Sequence, residues 1–178
     1  MPKIKYGARF TKERLILYVA VAVSFFCIAL CNATSSWLLK DWLKDDVFGD
    51  EYHGLWKVCY DRPNRGLTSS CFERVGDIYL NNVRSGMCLS FLLYAVVLGY
   101  LIAMQFRSDL QLTPIGLCLI ISSLSALFSL TLFIATQDIP RVHWLFTIKY
   151  GYSFGFGWFG MLLSIITGVV CISLPKID

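Results

Sequence analysis

Residues 54–71 read Gly-Leu-Trp-Lys-Val-Cys-Tyr-Asp-Arg-Pro-Asn-Arg-Gly-Leu-Thr-Ser-Ser-Cys and form the centre of the one long polar region in an otherwise apolar chain. Cys59 and Cys71 lie in this region. Two cysteines in a short segment on the oxidising side of a membrane are most simply explained by a disulfide that closes a loop. Residues 55–60 and 67–74 have β character, and Pro63, Asn64 and Gly66 between them favour a turn. The two cysteines are therefore expected to face one another across a hairpin, as disulfide geometry requires.

The composition of the chain indicates an integral membrane protein. Of its 178 residues, 56% are hydrophobic and 15% aromatic, and the mean hydropathy is +0.60, which is too apolar for a soluble domain. Each of four charge-free stretches is longer than the roughly 20 residues that cross a bilayer as a helix. They cover residues 15–39, 85–106, 110–137 and 150–175. The net charge of +4 is small and gives no reason to expect nucleic acid as a partner.

The positions of the basic residues predict the orientation of the spans. The first fourteen residues carry five Lys or Arg against one Glu, which places the N-terminus, and with four spans also the C-terminus, in the cytoplasm. A cleaved signal peptide is the competing explanation, and the length of the first apolar run disfavours it. The predicted division is a cytoplasmic tail (1–14), first span (15–35), first extracellular loop (36–84), second span (85–106), cytoplasmic loop (107–112), third span (113–136), second extracellular loop (137–150), fourth span (151–174) and cytoplasmic C-terminus (175–178).

Small residues at helical spacing predict how the spans pack. Because helices in lipid associate through close contact and interhelical hydrogen bonds, such residues mark contact faces. In the fourth span they are Gly160, Ser164 and Gly168, and in the third they are Ser122, Ser125, Ala126 and Ser129. Packing within the bundle is the expected use, and a face for another protein is the alternative.

Two further surface features have a structural and a functional interpretation. Asn32 begins a glycosylation sequon, but its position at the end of the first span disfavours modification. Aromatic residues around Trp144 and Phe146 in the second extracellular loop are typical of an interfacial belt. Docking to a neighbouring protein is the alternative for them.

The residues of the chain give no sign of catalysis. His53 and His143 lie in different loops, and no charged residue or histidine falls in the middle of a span. The sequence therefore predicts no catalytic residues, no metal site and no cofactor, and it disfavours both an enzyme and a transporter with a central path.

A set of motif residues, combined with four spans in the right order, resembles the claudin superfamily: Trp37, Gly54, Leu55, Trp56, Cys59, Cys71 and Arg84. That superfamily includes claudins, peripheral myelin and epithelial membrane proteins, PERP-like tetraspans and the gamma or stargazin-like auxiliary subunits of ion channels. The resemblance covers nearly the whole chain. It implies a membrane all-α four-helix bundle topped by a small extracellular antiparallel β-sheet, mostly from the first loop with a strand from the second. By the same resemblance, the disulfide would staple the sheet, and Trp37, Trp56 and Arg84 would anchor it to the bundle.

The resemblance implies two functions. The first is a plasma-membrane protein of cell–cell junctions that acts in adhesion or the paracellular barrier, with membrane lipid and other claudin-like proteins in cis or trans as partners. Acidic loop residues would then bias ion passage, among them Asp41, Asp45, Asp46, Asp50 and Glu51. The alternative is an auxiliary subunit that modulates the gating or trafficking of a pore-forming channel subunit or receptor. The chain ends in Asp178, unlike a typical claudin, which argues against binding to PDZ scaffolds.

Overall fold

The computed structural model describes residues 12–42, 50–61, 70–107, 111–136, 142–143 and 146–173. Within them lie four helices: α1 (Lys12–Ala33), α2 (Ile78–Phe106), α3 (Thr113–Thr136) and α4 (Tyr152–Ser173). By length and composition, each is able to cross a membrane. The expected four-helix membrane architecture is therefore confirmed.

The helices pack as a closed ring in which each contacts two neighbours. Packing joins α1 to α2, α2 to α3, α3 to α4 and α4 back to α1. Large apolar side chains such as Ile28, Met87 and Leu119 fill the centre and are fully buried, while other apolar side chains on every helix remain exposed, as expected for surfaces that face lipid. Buried serines also lie in the interior, among them Ser24, Ser122 and Ser164.

A six-stranded antiparallel sheet caps one end of the ring. Its strands are β1 (Leu38–Trp42), β2 (Asp50–His53), β3 (Lys57–Asp61), β4 (Ser70–Glu73), β5 (Val142–His143) and β6 (Phe146–Tyr150). They lie in the order β4-β3-β2-β1-β6-β5. Four strands come from the segment between α1 and α2, and two come from the segment between α3 and α4. This arrangement confirms the expected sheet, including the contribution from the second loop.

The hairpin expected around the two cysteines is present. In the β3–β4 pair, Cys59 lies directly opposite Cys71, and the structure joins them in a disulfide with a Cα–Cα distance of 4.1 Å. The described strands cover Lys57–Asp61 and Ser70–Glu73, where stretches of β character were expected at residues 55–60 and 67–74. The predicted turn at Pro63, Asn64 and Gly66 lies outside the described residues.

Helix α2 begins seven residues before the predicted membrane span, at Ile78 rather than at residue 85. The reason is a helix cap: the Asp77 side chain accepts a hydrogen bond of 2.7 Å from the backbone N–H of Leu80, which satisfies one of the free donors of the first turn. Arg84 therefore lies within α2, on its second turn, instead of at its entrance. The extra turns bring α2 up to the sheet.

Candidate functional site: the sheet and its attachment to the bundle

Trp37 joins the end of α1 to the sheet and to α4. Its side chain is completely buried, and its indole N–H donates to the carbonyl oxygen of Cys31 in the last turn of α1. The ring packs edge-on against Phe133 of α3, with centroids 4.9 Å apart. The backbone carbonyl of Trp37 accepts a hydrogen bond of 3.0 Å from the N–H of Gly151, just before α4. The start of β1 is thereby fixed against three of the four helices.

Gly54 and Leu55 form the turn between β2 and β3, and both are buried against the bundle. A Cβ atom on Gly54 would lie 2.5 Å from the Cα atom of Ser35, so only glycine allows this close backbone approach. The N–H of Gly54 donates to the carbonyl of Lys57 at 2.8 Å. Leu55 is fully buried in the core. The Gly-Leu pair of the motif thus forms the foot of the sheet.

Arg84 clamps this foot to α2. Its Nε donates to the carbonyl oxygen of Leu55 at 3.0 Å, Nη2 donates to the carbonyl oxygen of Arg74 at 2.6 Å, and Nη1 donates to Asn81 Oδ1 at 3.2 Å. The planar fork of a guanidinium suits this, because several donors project from it in fixed directions. Two backbone carbonyls from separate segments of the sheet are therefore held by one side chain of a helix.

Trp56 occupies a different environment from Trp37. The guanidinium carbon of Arg84 lies 5.0 Å from the centroid of its ring, but 42% of Trp56 remains exposed. It therefore contacts the clamp from outside and is not part of the core. The motif suggested the same anchoring role for both tryptophans. Only Trp37 is buried, however, so the two residues differ in how they contribute to the attachment.

Arg74 is a further residue of the attachment, and it was absent from the sequence prediction. Its Nη1 donates to the carbonyl oxygen of Gly54 at 3.1 Å, and its backbone N–H donates to the carbonyl of Trp56 at 2.8 Å. Burial lowers the pKa of Arg74, the neighbouring Arg84 lowers it further, and Asp77 opposes the change. No local sequence pattern distinguishes this arginine from the other basic residues of the loop.

One face of the sheet carries the disulfide and a row of acidic residues. Asp50 lies directly opposite Asp61 in the β2–β3 pair, next to the Tyr52–Cys59 pair. Burial raises the pKa of Tyr52, and the charges of Asp50, Asp61 and Asp41 raise it further. This face therefore has a local excess of negative charge. It is held in spite of the cost of placing like charges directly opposite one another in a sheet. Asp41 also forms a salt bridge of 3.2 Å with Lys149 of β6.

The other face of the sheet carries a partly buried charged cluster. The carboxylate oxygen Oε2 of Glu51 lies 3.2 Å from His53 Nε2 and 3.7 Å from Lys40 Nζ. Burial lowers the pKa of His53, the hydrogen bond to Glu51 opposes this, and the positive charges of Arg74 and Lys40 act in the same direction as burial. The charge of Glu51 is thus balanced by Lys40, and His53, whose pKa is lowered, contributes a hydrogen bond. Of the acidic residues expected to bias ion passage, Asp45 and Asp46 lie outside the described residues.

The predicted small residues of α4 lie inside the bundle. A Cβ atom on Gly160 would lie 2.9 Å from Cys27 Cβ of α1, and one on Gly168 would lie 3.0 Å from the carbonyl oxygen of Gly116 of α3. The hydroxyl of Ser164 donates to the carbonyl of Leu119 of α3 at 3.4 Å. These residues bring α4 close to α1 and α3.

The seam between α2 and α3 is held by hydroxyl groups. Ser90 and Ser122 have their hydroxyl oxygens 2.9 Å apart, and Ser122 also bonds the carbonyl of Ser90 at 3.0 Å. Ser125 donates to the carbonyl oxygen of Gly86 at 2.8 Å. The α3 serines were expected on a contact face, but their partner helix and Ser90 were not identified from the sequence.

Asn32 lies in the last turn of α1. Its side-chain nitrogen, the atom that would carry a glycan, donates to the carbonyl oxygen of Ile28 at 3.0 Å. Of the aromatic residues of the second loop, Trp144 lies outside the described residues, and Phe146 is the first residue of β6. His143 lies in the neighbouring strand, β5.

The bundle, the stapled sheet and the Trp37 and Arg84 attachments define a four-span membrane protein with one small domain on the bilayer surface. The model of the PMP-22/EMP/MP20/Claudin family matches residues 13–171, so this chain belongs to that family. A comparison with curated proteins found no match. The resemblance noted in the motif residues is therefore confirmed at the level of the family.

Proposed function

We propose that this protein acts at contacts between neighbouring cells, where its sheet takes part in adhesion or in the paracellular barrier. In this proposal the sheet lies outside the plasma membrane and both termini lie in the cytoplasm, in line with the basic N-terminal tail. Its partners are lipid and claudin-like proteins, including copies of itself, in the same membrane or the opposite one. The protein is not an enzyme and uses no cofactor.

The observation that carries this proposal is the row of carboxylates on a rigidly attached sheet. The sheet is fixed by the disulfide between Cys59 and Cys71 and by the clamp from Arg84, so its outer face keeps one position relative to the membrane. Asp50 and Asp61 face each other on that surface. Negative charge lining a narrow aqueous gap favours cations over anions.

The test is expression in a polarised epithelial monolayer, with localisation and ion permeability measured together. We expect the protein at lateral contacts and a change in transepithelial conductance. Asp61→Asn should reduce the preference for sodium over chloride, whereas Glu73→Gln, at the opposite end of the hairpin, should not. Cys59→Ser, which removes the disulfide, serves as the folding control. A uniform surface distribution contradicts the proposal, and a conductance that does not change on expression contradicts its paracellular part.

A second function, that of an auxiliary subunit beside a channel, is favoured by one feature of α2. Gly99 is exposed, and a Cβ atom there would meet no described atom of this chain within 4 Å. A glycine within a helix costs about 1 kcal/mol relative to alanine, and packing inside this bundle does not explain it. Ala95 and Ala103 lie one turn away on either side and are also exposed. Small residues at this spacing allow another helix to approach closely.

The two functions are separable by experiment. If the auxiliary role is correct, a pore-forming subunit co-purifies with the protein, and Gly99→Leu removes it. Gly155→Leu is the matched control, because Gly155 is equally open but lies on α4. Recovery of the protein without a channel subunit, together with junctional localisation, supports the first function.

A further inference from the structure

The clamp residue Arg84 lies at a defined depth relative to the membrane. Residues 85–106 of α2 carry no charged side chain, and Arg84 and Arg107 bound this stretch. At about 1.5 Å per residue the stretch is about 33 Å long, which matches the roughly 30 Å of bilayer hydrocarbon. Arg84 therefore lies where the hydrocarbon ends on the sheet side, at the level of the phospholipid phosphates.

A second guanidinium lies beside it, and the pair carries an uncompensated positive charge. Arg74 is close enough to Arg84 for the two charges to act on each other. Neither forms a salt bridge with an acid in the part of the chain that the structure describes. Asp77 is the acid that acts on Arg74, and its carboxylate already caps α2. The pair therefore retains affinity for an anion.

The two guanidiniums also have donors to spare. Within the described residues, Arg84 donates three hydrogen bonds and Arg74 donates one from its side chain, whereas a guanidinium carries more N–H groups than either number. Both side chains are only partly buried, and the bond from Arg84 to Asn81 is exposed. A phosphate oxygen suits such donors because guanidinium groups bind phosphate in a fork.

Apolar side chains surround the pair without covering it. Val75 is 94% exposed, Ile78 is 72% exposed and Tyr79 is 54% exposed. They lie next to Arg74 or in the first turn of α2, above the stretch that faces lipid. Exposed apolar groups of this kind are unfavourable in water, but they are suited to the headgroup layer, where aromatic and aliphatic side chains of membrane proteins anchor.

From this combination we propose that Arg74 and Arg84, beside Trp56, bind the phosphate group of a phospholipid in the leaflet next to the sheet. Val75 and Ile78 extend among the neighbouring headgroups. The same two arginines hold the foot of the sheet through Gly54 and Leu55. Lipid bound at this point fixes the height and tilt of the sheet above the membrane.

Native mass spectrometry of the full-length protein, released from nanodiscs of phosphatidylcholine with phosphatidylglycerol, tests the proposal. We expect the wild type to retain a phospholipid and Arg74→Gln to retain at least fivefold less. Diacylglycerol, which has no phosphate, should not replace it. Lys149→Gln, which removes an exposed cation from the sheet, is the matched control and should retain lipid as the wild type does. A cooperative thermal unfolding transition in detergent reports that each variant is folded.

A second variant keeps the proposal testable if Arg74→Gln does not fold. Val75→Asp changes an almost fully exposed side chain and places a negative charge beside the pair, so lipid retention should again fall. Equal retention in the wild type and in a folded variant at either position overturns the proposal. It is also overturned if diacylglycerol is retained as well as phospholipid. None of these outcomes depends on whether the protein acts at cell junctions.

Discussion

Arg84 Nε lies 3.0 Å from the carbonyl oxygen of Leu55, although the two residues are 29 positions apart in the chain. This hydrogen bond connects the second turn of α2 to the foot of the sheet. With the bond to the Arg74 carbonyl, it makes a single helix residue responsible for the position of two sheet segments.

Replacing Arg84 by lysine should therefore destabilise the protein even though the charge is kept. An ammonium group cannot reach both carbonyls in the geometry of the guanidinium fork, and each hydrogen bond to a charged group is worth about 1.5 to 3 kcal/mol. We expect a loss of about 2 kcal/mol or more, measured as a lower Tm in detergent and less protein at the cell surface. Arg107→Lys, an exposed arginine at the other end of α2, should have no effect. An unchanged Tm for Arg84→Lys would show that the clamp is dispensable.

Trp37→Phe should cost more than Trp56→Phe. The first change removes the indole N–H that satisfies the Cys31 carbonyl in a fully buried site, and an unsatisfied buried acceptor costs about 1 to 3 kcal/mol. The second change keeps an aromatic ring near Arg84 at a site that is 42% exposed. Thermal unfolding of both variants measures the difference. Equal destabilisation would contradict the distinction between a buried and an exposed tryptophan.

Ser122→Ala should loosen the seam between α2 and α3. The serine hydroxyl bonds both the hydroxyl and the carbonyl of Ser90, and interhelical hydrogen bonds in membrane proteins contribute about 0.6 kcal/mol each. We expect a loss of about 1 kcal/mol. The control is Thr131→Ala, since the Thr131 hydroxyl is exposed and bonds only carbonyls of its own helix. The prediction fails if the two alanine variants unfold at the same temperature.

Two glycine-to-alanine substitutions should have opposite effects. At Gly160 the new methyl group would meet Cys27 Cβ at 2.9 Å and the Ser24 carbonyl oxygen at 3.2 Å, and overpacking of this kind costs about 1 to 3 kcal/mol. At Gly99 the methyl group would meet nothing within 4 Å, so the gain in helix propensity, up to about 1 kcal/mol, remains. The Tm of each purified variant, compared with that of the wild type, tests both predictions: it should fall for Gly160→Ala and rise for Gly99→Ala. A stabilised Gly160→Ala variant would mean that α1 and α4 are less closely packed than the structure shows.

His53 should make the protein more sensitive to acid. Burial lowers the pKa of His53 below its ordinary value of 6.5, so the unfolded chain binds the proton more readily than the folded one. The contribution of His53 to stability is therefore complete above pH 6.5 and is lost as the pH falls below that value. The decrease in Tm between pH 7.5 and 5.5 should be smaller in His53→Gln than in the wild type. Because carboxylates titrate in both proteins, only the difference between the two decreases is informative, and identical decreases would exclude a contribution from His53.

Much of the architecture was predictable from the sequence. The four spans follow from apolar stretches without charge, because the thickness of the bilayer sets a length that local composition either meets or does not meet. The pairing of Cys59 with Cys71 was also predictable, because the hairpin brings together residues that are close in sequence. By contrast, the cap at Asp77 was not anticipated, and α2 extends farther toward the sheet than its apolar stretch indicates.

The sequence by itself thus determined the number of spans, the position of the polar domain between them and the disulfide of its hairpin. These are properties of contiguous segments, and hydropathy and spacing describe them fully. Only the tertiary structure decided that Arg74 joins Arg84 at the foot of the sheet, that Trp37 is buried while Trp56 is exposed, and that Ser90 is the partner of Ser122. Each of these depends on hydrogen bonds or contacts between residues far apart in the chain, and their geometry is set only when the helices and the sheet pack together.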